Sequence, residues 1–436
     1  ARRAIGYNEL VTDSLMVTVA PNARLSRPYW RHASEHDGWV TVEPDAPIGL
    51  PWRPPDVVGH AVFAVNGIPV EITQPLQFRT ADKAFGEIRR EVLVAPALAV
   101  SLTPEMAVIP MAGAHQPRRF RVSVWNNVRG RASGTLRLDL PDGWSATPPE
   151  ASFSFTRQDQ EVTVAFDVTP PRAIPAGAYR VRAVAEWNGQ RFTEGYRTIA
   201  YPHIETRHLY REAASEVRVF EIRVADGLTV GYIMGGGDDV PQALSQLGVN
   251  MRLLGPEDLA TGDLSQYDVI VAGIRAYEVR DDLIAHNQRL LEYVKAGGTY
   301  IVQYNKYEFN AEQYGPYPAK IRQPHDRVTR EDAPVTILDP TNPVFNVPNK
   351  ITSADFDGWV QERGLYFLGE WDSRYVPLLA CNDPGEEPKR GGLVEAHYGK
   401  GLYIYTGYAW FRQLPAGLPG AYRLFANLIS LPKAHQ

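Results

Sequence analysis

LTVGYIMGGGDDVPQALSQLGVNMRLLG, Leu228 to Gly255, is the stretch on which the fold turns. Its opening residues form an apolar strand that runs into three glycines. DVPQALSQLG, from Asp239, then has helical spacing, and NMRLLG, from Asn250, is a second strand. Strand, helix and strand at this spacing read as a right-handed βαβ crossover, which sets the two strands parallel in one sheet. The pattern continues downstream. YDVIVAGIRAY from Tyr267 is a third strand, and RDDLIAHNQRLLEYVKAGG from Arg280 is an amphipathic helix. TYIVQYN from Thr299 is a fourth strand, apolar on both faces up to Gln303 and so expected inside the sheet. GLVEAHYGKGLYIYTGYAW from Gly392 reads as a hairpin turned at Gly399-Lys400-Gly401, and PGAYRLFANLISL from Pro419 as a closing helix.

Upstream of about Asp226 the grammar is that of short strands. In RRFRVSVWNN, from Arg118, Phe120, Val122 and Val124 alternate with Arg119, Arg121 and Ser123, the period of two of a half-buried strand. GTLRLDLPDGW, QEVTVAFDVTPP and GAYRVRAVAEWNGQRFTEGYRTIAY repeat the habit, and Asn188-Gly189 is a two-residue hairpin signal because both residues tolerate positive φ. These segments predict an immunoglobulin-like sandwich. Earlier residues are also β but irregular, with the proline-dense PIGLPWRPP from Pro47 and a second hairpin signal at Asn66-Gly67. The resulting division is an irregular β module over 1–99, a sandwich over 100–225 and an α/β domain over 226–436, so two β-sandwich modules precede a doubly wound, flavodoxin-like α/β domain. ELVTDSLMVTVAP, from Glu9, alternates like a strand, yet too few strands precede Arg90 to close two sheets. The first module is therefore expected to be completed by residues outside the chain, and Ala1 suggests processing or truncation.

Composition agrees with this division. At 436 residues, with 44% hydrophobic and 22% charged residues, the chain is globular and long enough for about three domains. Its 35 Pro, 36 Gly and 9 Trp favour β structure, since Pro and Gly end helices and fill turns. A net charge of -5 from 45 basic and 50 acidic residues gives no footprint for nucleic acid. No window of 18 apolar residues marks a membrane span or a signal peptide. The lone Cys381 excludes an internal disulfide and a CxxC zinc site.

Several clusters could carry chemistry. GGGDD, from Gly235, sits where a phosphate could rest at a helix start, but two aspartates would repel it, and capping by Asp238 or Asp239 is the simpler reading. Asn305, Lys306 and Glu308 follow the fourth strand and would line the crevice where open α/β sheets bind ligands. His325, Asp326 and Arg327 form the most polar histidine context. Neighbouring side chains on an extended segment point opposite ways, so a metal there would need further ligands such as Asp355 or Asp357. No metal site is expected, because the 10 histidines are dispersed. Trp359, Tyr366, Trp371, Tyr375, Tyr403, Tyr405, Tyr408 and Trp410 cluster late; they read as core, with stacking on sugar rings the alternative, for which Trp359, Tyr408 and Trp410 are the named candidates. No GxSxG surrounds Ser245, Ser265, Ser353 or Ser373.

The order of elements from 228 to 432 resembles the class I glutamine amidotransferase-like superfamily, including ThuA-like domains. Active members carry a cysteine on a strained turn after the fourth strand; here that place reads Gln303-Tyr304-Asn305 and Cys381 lies far away, so the resemblance implies no acyl-transfer thiol. SRPYW (Ser26 to Trp30), IGLPWRPP (Ile48 to Pro55), FGEIRRE (Phe85 to Glu91), PHDRVT (Pro324 to Thr329), PNKITSADFDGWVQERGLYF (Pro348 to Phe367) and YTGYAWFRQLPAGLPGAYRLFANL (Tyr405 to Leu428) look like the C-terminal part of exported bacterial PIG-L/LmbE-family deacetylases. The middle sandwich is similar to the NPCBM-associated domain of alpha-galactosidases. The PIG-L/LmbE family's zinc site is built around a PHPDD-like motif which this sequence lacks, so the resemblance implies zinc only in a separate catalytic domain and no cofactor in this chain. The resemblance implies an extracellular or periplasmic accessory portion. Its partners would be an N-terminal deacetylase portion or another copy of the chain, and glycan. The alternative is a hydrolase or sugar-processing enzyme with its site in the α/β domain.

Overall fold

The computed structural model describes residues 4–20, 22–31 and 39–434. Leu98 to Phe220 close as a sandwich of two sheets. One contains Glu150–Phe155, Ala132–Asp139, Gly177–Trp187, Ala214–Phe220 and Met106–Pro110; the other contains Ser145–Thr147, Glu161–Thr169, Arg118–Asn126 and Leu98–Thr103. Alternation sets the core: Phe120, Val122 and Val124 are sealed inside while Arg119 and Arg121 face water. The turn at Asn188-Gly189 has φ of 48° and 72°, both in the left-handed region, and joins Trp187 to Gln190 in register. A separate hairpin, Glu194–Ile199 with Arg207–Glu212, stands beside the strand Leu98–Thr103.

Residues before the sandwich form two-stranded ribbons. Val58–Val65 pairs with Ile68–Pro75 around Asn66-Gly67, and Gln77–Asp82 pairs with Gly86–Glu91. Among the described residues no second sheet covers them, and Val62, Ile68, Phe78 and Phe85 are exposed. The strand expected in ELVTDSLMVTVAP is not formed over its described residues, 9–20. Alternation favours a strand only where another strand supplies the ladder partners, and among the described residues none pairs with this segment.

The third unit is built on a seven-stranded sheet in the order Asn250–Leu253, Thr229–Ile233, Val269–Ala272, Thr299–Gln303, Gly401–Thr406, Leu393–Tyr398, Val376–Pro377. The first five are mutually parallel; Leu393–Tyr398 runs antiparallel to Gly401–Thr406, and Val376–Pro377 antiparallel to Leu393–Tyr398. Thr299–Gln303 lies fourth and is wholly buried, as its two apolar faces require. The helix Asp281–Ala296 makes one crossover and Pro419–Ser430 closes another layer. Gly420 permits that closure, because a Cβ there would stand 1.8 Å from the Asp355 carbonyl oxygen. Between Thr299–Gln303 and Leu393–Tyr398 lies a long insertion of small ladders, among them Arg327–Val328 with Gly364–Leu365. It roofs the ends of the parallel strands.

Candidate functional site

The loops that leave the parallel strands meet this insertion along one edge of the sheet. After Val269–Ala272 the chain turns into Arg275 at φ 57°, a left-handed conformation that costs an ordinary residue about 1–2 kcal/mol. Its guanidinium donates to both carboxylate oxygens of Glu278, at 2.5 and 2.6 Å, and the Lys306 ammonium adds a third bond at 3.0 Å. The Arg275 hydrogen bonds, with Lys306 beside them, hold the Glu278 carboxyl down at about 2.

Three rings stack above this pair. Tyr366 lies parallel to Tyr304 on one side, centroids 5.8 Å apart, and to His325 on the other, 4.2 Å apart. Tyr307 meets both Tyr366 and His325 edge-on, and its hydroxyl accepts the His325 N–H at 2.9 Å. Tyr366 sits at φ 54°, pinned by its N–H to the Asp326 carbonyl at 2.9 Å. Below, buried Glu362 takes Arg327 Nε at 2.6 Å and Arg412 Nε at 2.7 Å, and Arg412 also reaches Gln361, which is at φ 66°. Among the described residues, Arg275, Gln361 and Tyr366 are the positive-φ residues that are neither glycine nor Asn/Asp, and all three lie at this edge. Backbone strain gathered at one place marks a position that the surroundings over-determine, a common property of functional sites.

Beneath the ladder, Gln303 Nε2 donates to the Tyr232 hydroxyl at 2.8 Å, which donates in turn to Asp238 Oδ1 at 2.8 Å. Burial pushes the Asp238 carboxyl up despite these bonds. Asp238 also accepts the Val240 N–H at 3.1 Å, so the GGGDD segment caps its helix through Asp238, while Asp239 makes no side-chain cap.

Lys306, Glu308, His325, Asp326 and Arg327 come together at this edge, but their roles differ. Asn305 is buried and spent on its own loop, accepting the Tyr277 N–H and donating to the Gln303 carbonyl. Asp326 is half-buried and its carboxyl is pushed up by burial, with Arg322 3.9 Å away. Five other candidates are corrected. Asp355 closes a capping box with Thr352 and holds Arg423 at 2.7 Å, so its carboxylate is committed. Asp357 lies exposed just past that turn, outside the ring ladder. Trp359, Tyr408 and Trp410 are 2%, 1% and 0% exposed and pack on one another, which leaves no ring face for a ligand. Cys381 is also core: burial pushes its thiol up to about 11 and Tyr408 donates to it at 3.3 Å. Sequence reasoning missed Arg275, Glu278, Glu362 and Arg412. The Arg-x-x-Glu spacing just after a strand was a usable signal for the first two; nothing local marks the second pair. Among the described residues no group of three or more His, Cys, Asp or Glu gathers as a metal site, and no helix is long and apolar enough to cross a membrane.

Residues 113–188 match the NPCBM-associated, NEW3 domain of alpha-galactosidase. No curated protein matches the chain. Among solved structures it is similar to a cold-adapted β-galactosidase from Rahnella sp. R3, at 16% identity over 49% of this chain and 32% of that one, with a TM-score of 0.30. A β-galactosidase from Bacillus circulans sp. alkalophilus is similar at 14% identity over 47% and 31%, with a TM-score of 0.32. The chain thus spans about a third of the length of either galactosidase.

Proposed function

We propose that this chain is a non-catalytic, carbohydrate-directed accessory portion of a larger exported enzyme, and that the Tyr304–Tyr366–His325 ladder is its contact with glycan. The observation that carries the reading is the stack itself: Tyr304 is buried and Tyr366 is covered on both faces, so the part-exposed His325 ring at its end offers the contact, beside the Glu278 and Glu362 carboxylates already committed to cations. A pyranose ring offers C–H faces to an aromatic plane and hydroxyls to the polar groups around it. Catalysis by proton transfer asks for the opposite, an acid or base whose pKa lies near the working pH. Glu278, held at about 2, takes no proton near neutrality, and Glu362 is clamped by two guanidinium groups; Asp326, pushed up by burial, is the carboxylate at this edge that the Asp326→Ala variant tests.

The match to a galactosidase-associated domain over 113–188 supports the carbohydrate side of the proposal. The order of the five parallel strands, second, first, third, fourth, last, is one used by doubly wound sheets with ligand sites at their strand ends, which supports an amidotransferase-like ancestry. On that reading Tyr304 stands where active relatives carry their nucleophile. The parent enzyme we propose is a PIG-L-type N-acetyl-sugar deacetylase outside the cytoplasm, with zinc in its own catalytic domain. The exposed apolar ribbons of 58–91 favour attachment to that domain or to another copy. An assay of the full chain with added zinc on N-acetylglucosamine oligomers is expected to show no turnover. Turnover lost on Asp326→Ala would defeat the accessory reading.

A further inference from the structure

The outer face of the four-stranded sandwich sheet carries a second concave surface. A groove of about 400 Å³ runs between that sheet and the hairpin Glu194–Ile199/Arg207–Glu212, within the roughly 300–1,000 Å³ usual for small-molecule sites. Its floor is written in the strand register. Ala99, Trp125 and Glu161 lie side by side across three strands, and Ser101, Ser123 and Thr163 form the next row. Trp125, although on a sheet, is 38% exposed.

The wall is a stacked pair, Tyr196 on His208 with centroids 4.0 Å apart and planes within 12°. Tyr196 donates to Asn127 Oδ1 at 2.9 Å, and Asn127 Nδ2 donates to the Pro96 carbonyl at 2.8 Å, which anchors the hairpin to the sheet. Gly195 lets it approach, since a Cβ there would stand 2.4 Å from the Val100 carbonyl oxygen. The groove is therefore preformed. Burial pushes the His208 pKa down and keeps the ring neutral, and its Nδ1 is buried without a hydrogen-bond partner. Asp159 and Glu161 supply the charge, and neither lysine nor arginine lines the groove among the described residues.

We propose that this groove is a second sugar-binding site, selective for neutral oligosaccharides over acidic ones. Trp125 would stack on a pyranose face, the Tyr196–His208 pair would close one side, and the Asp159 and Glu161 carboxylates would accept hydroxyl donors. The same two carboxylates repel a uronate. The inference rests on the carbohydrate reading above but concerns different residues, so the two can fail separately.

The test is titration of cellohexaose, β-1,4-galactohexaose and hexagalacturonate into the full chain, followed by intrinsic tryptophan fluorescence. Wild type is expected to bind at least one neutral hexaose more tightly than the acidic one. Trp125→Ala, at an exposed position that leaves the core intact, is expected to weaken that binding by about tenfold or more, Trp125→Phe to retain most of it, and Tyr366→Ala to leave the groove's share unchanged. Undiminished neutral binding in Trp125→Ala with loss in Tyr366→Ala would overturn the groove and keep the ladder. Tighter binding of hexagalacturonate overturns the selectivity, and no binding of any of the three overturns the groove while leaving the ladder to its own titration with N-acetylglucosamine hexamer.

Discussion

Removal of the Glu362 carboxylate should loosen the ladder's support by an amount the geometry sets. Glu362 is 1% exposed and accepts two charge-assisted hydrogen bonds, from Arg327 at 2.6 Å and Arg412 at 2.7 Å. Such bonds contribute about 1.5–3 kcal/mol each. Breaking a fully buried pair costs about 3–5 kcal/mol, because the abandoned charge stays dry. Here the guanidinium side chains are 46% and 28% exposed and regain water, so the loss for Glu362→Ala should be about 2–4 kcal/mol. Glu362→Gln keeps one oxygen for one arginine and turns an amide donor toward the other, so about half of that loss is expected. A chain of several domains has no single unfolding free energy, so the readout should be local amide exchange. The Tyr366 N–H, bonded to the Asp326 carbonyl, and the Arg363 N–H, bonded to the Val328 carbonyl, are the reporters. Their exchange should quicken about 30- to 700-fold in the alanine variant, at tenfold per 1.4 kcal/mol. If both variants exchange within a factor of two of wild type, the clamp does not hold this edge together.

Other outcomes follow from individual residues. Glu278, held at about 2 against an ordinary value near 4.5, gives stability that is complete above about 4.5 and lost as pH falls through about 2. An NMR titration of its carboxyl should show the low midpoint, and Arg275→Ala should raise it. Cys381, with its thiol pushed up to about 11 and buried, should resist thiol reagents at pH 8 until the protein is unfolded; rapid native labelling would contradict its core placement. Gly420→Ala would drive a Cβ into the Asp355 carbonyl and should cost at least the roughly 1–3 kcal/mol of an overpacked site, read as a lower melting temperature.

What was legible in the sequence is what local chemistry fixes. Asn66-Gly67 and Asn188-Gly189 announce their turns because few other pairs tolerate two positive φ angles, and Phe120, Val122 and Val124 announce their strand by period. Thr299–Gln303 reads as interior because both its faces are apolar. The site was legible only in part. Lys306 and His325 could be nominated from strand-end position and polarity, but the strain at Tyr366 arises from pairing with a loop 40 residues upstream, to which no local signal points. Alternation also cannot say which face of a strand meets water. Tyr408 and Trp410 read as sugar-stacking candidates, yet Trp410 packs on Phe425 of the helix Pro419–Ser430 and Tyr408 on Trp359 and Phe367. ELVTDSLMVTVAP shows the converse limit, a strand pattern without a strand to pair with.

The central claim is that the ladder at the strand ends binds glycan and changes nothing in it. Calorimetric titration of N-acetylglucosamine hexamer and cellohexaose into the full chain carrying Trp125→Ala, which removes the groove's share, with mass spectrometry of the recovered sugars, tests this most directly. The account predicts saturable binding that weakens about tenfold in Tyr366→Ala, because His325 loses the ring that holds it in place, with every recovered sugar at its original mass. Binding indifferent to Tyr366→Ala, or a shortened or deacetylated product that disappears in Asp326→Ala, would contradict it.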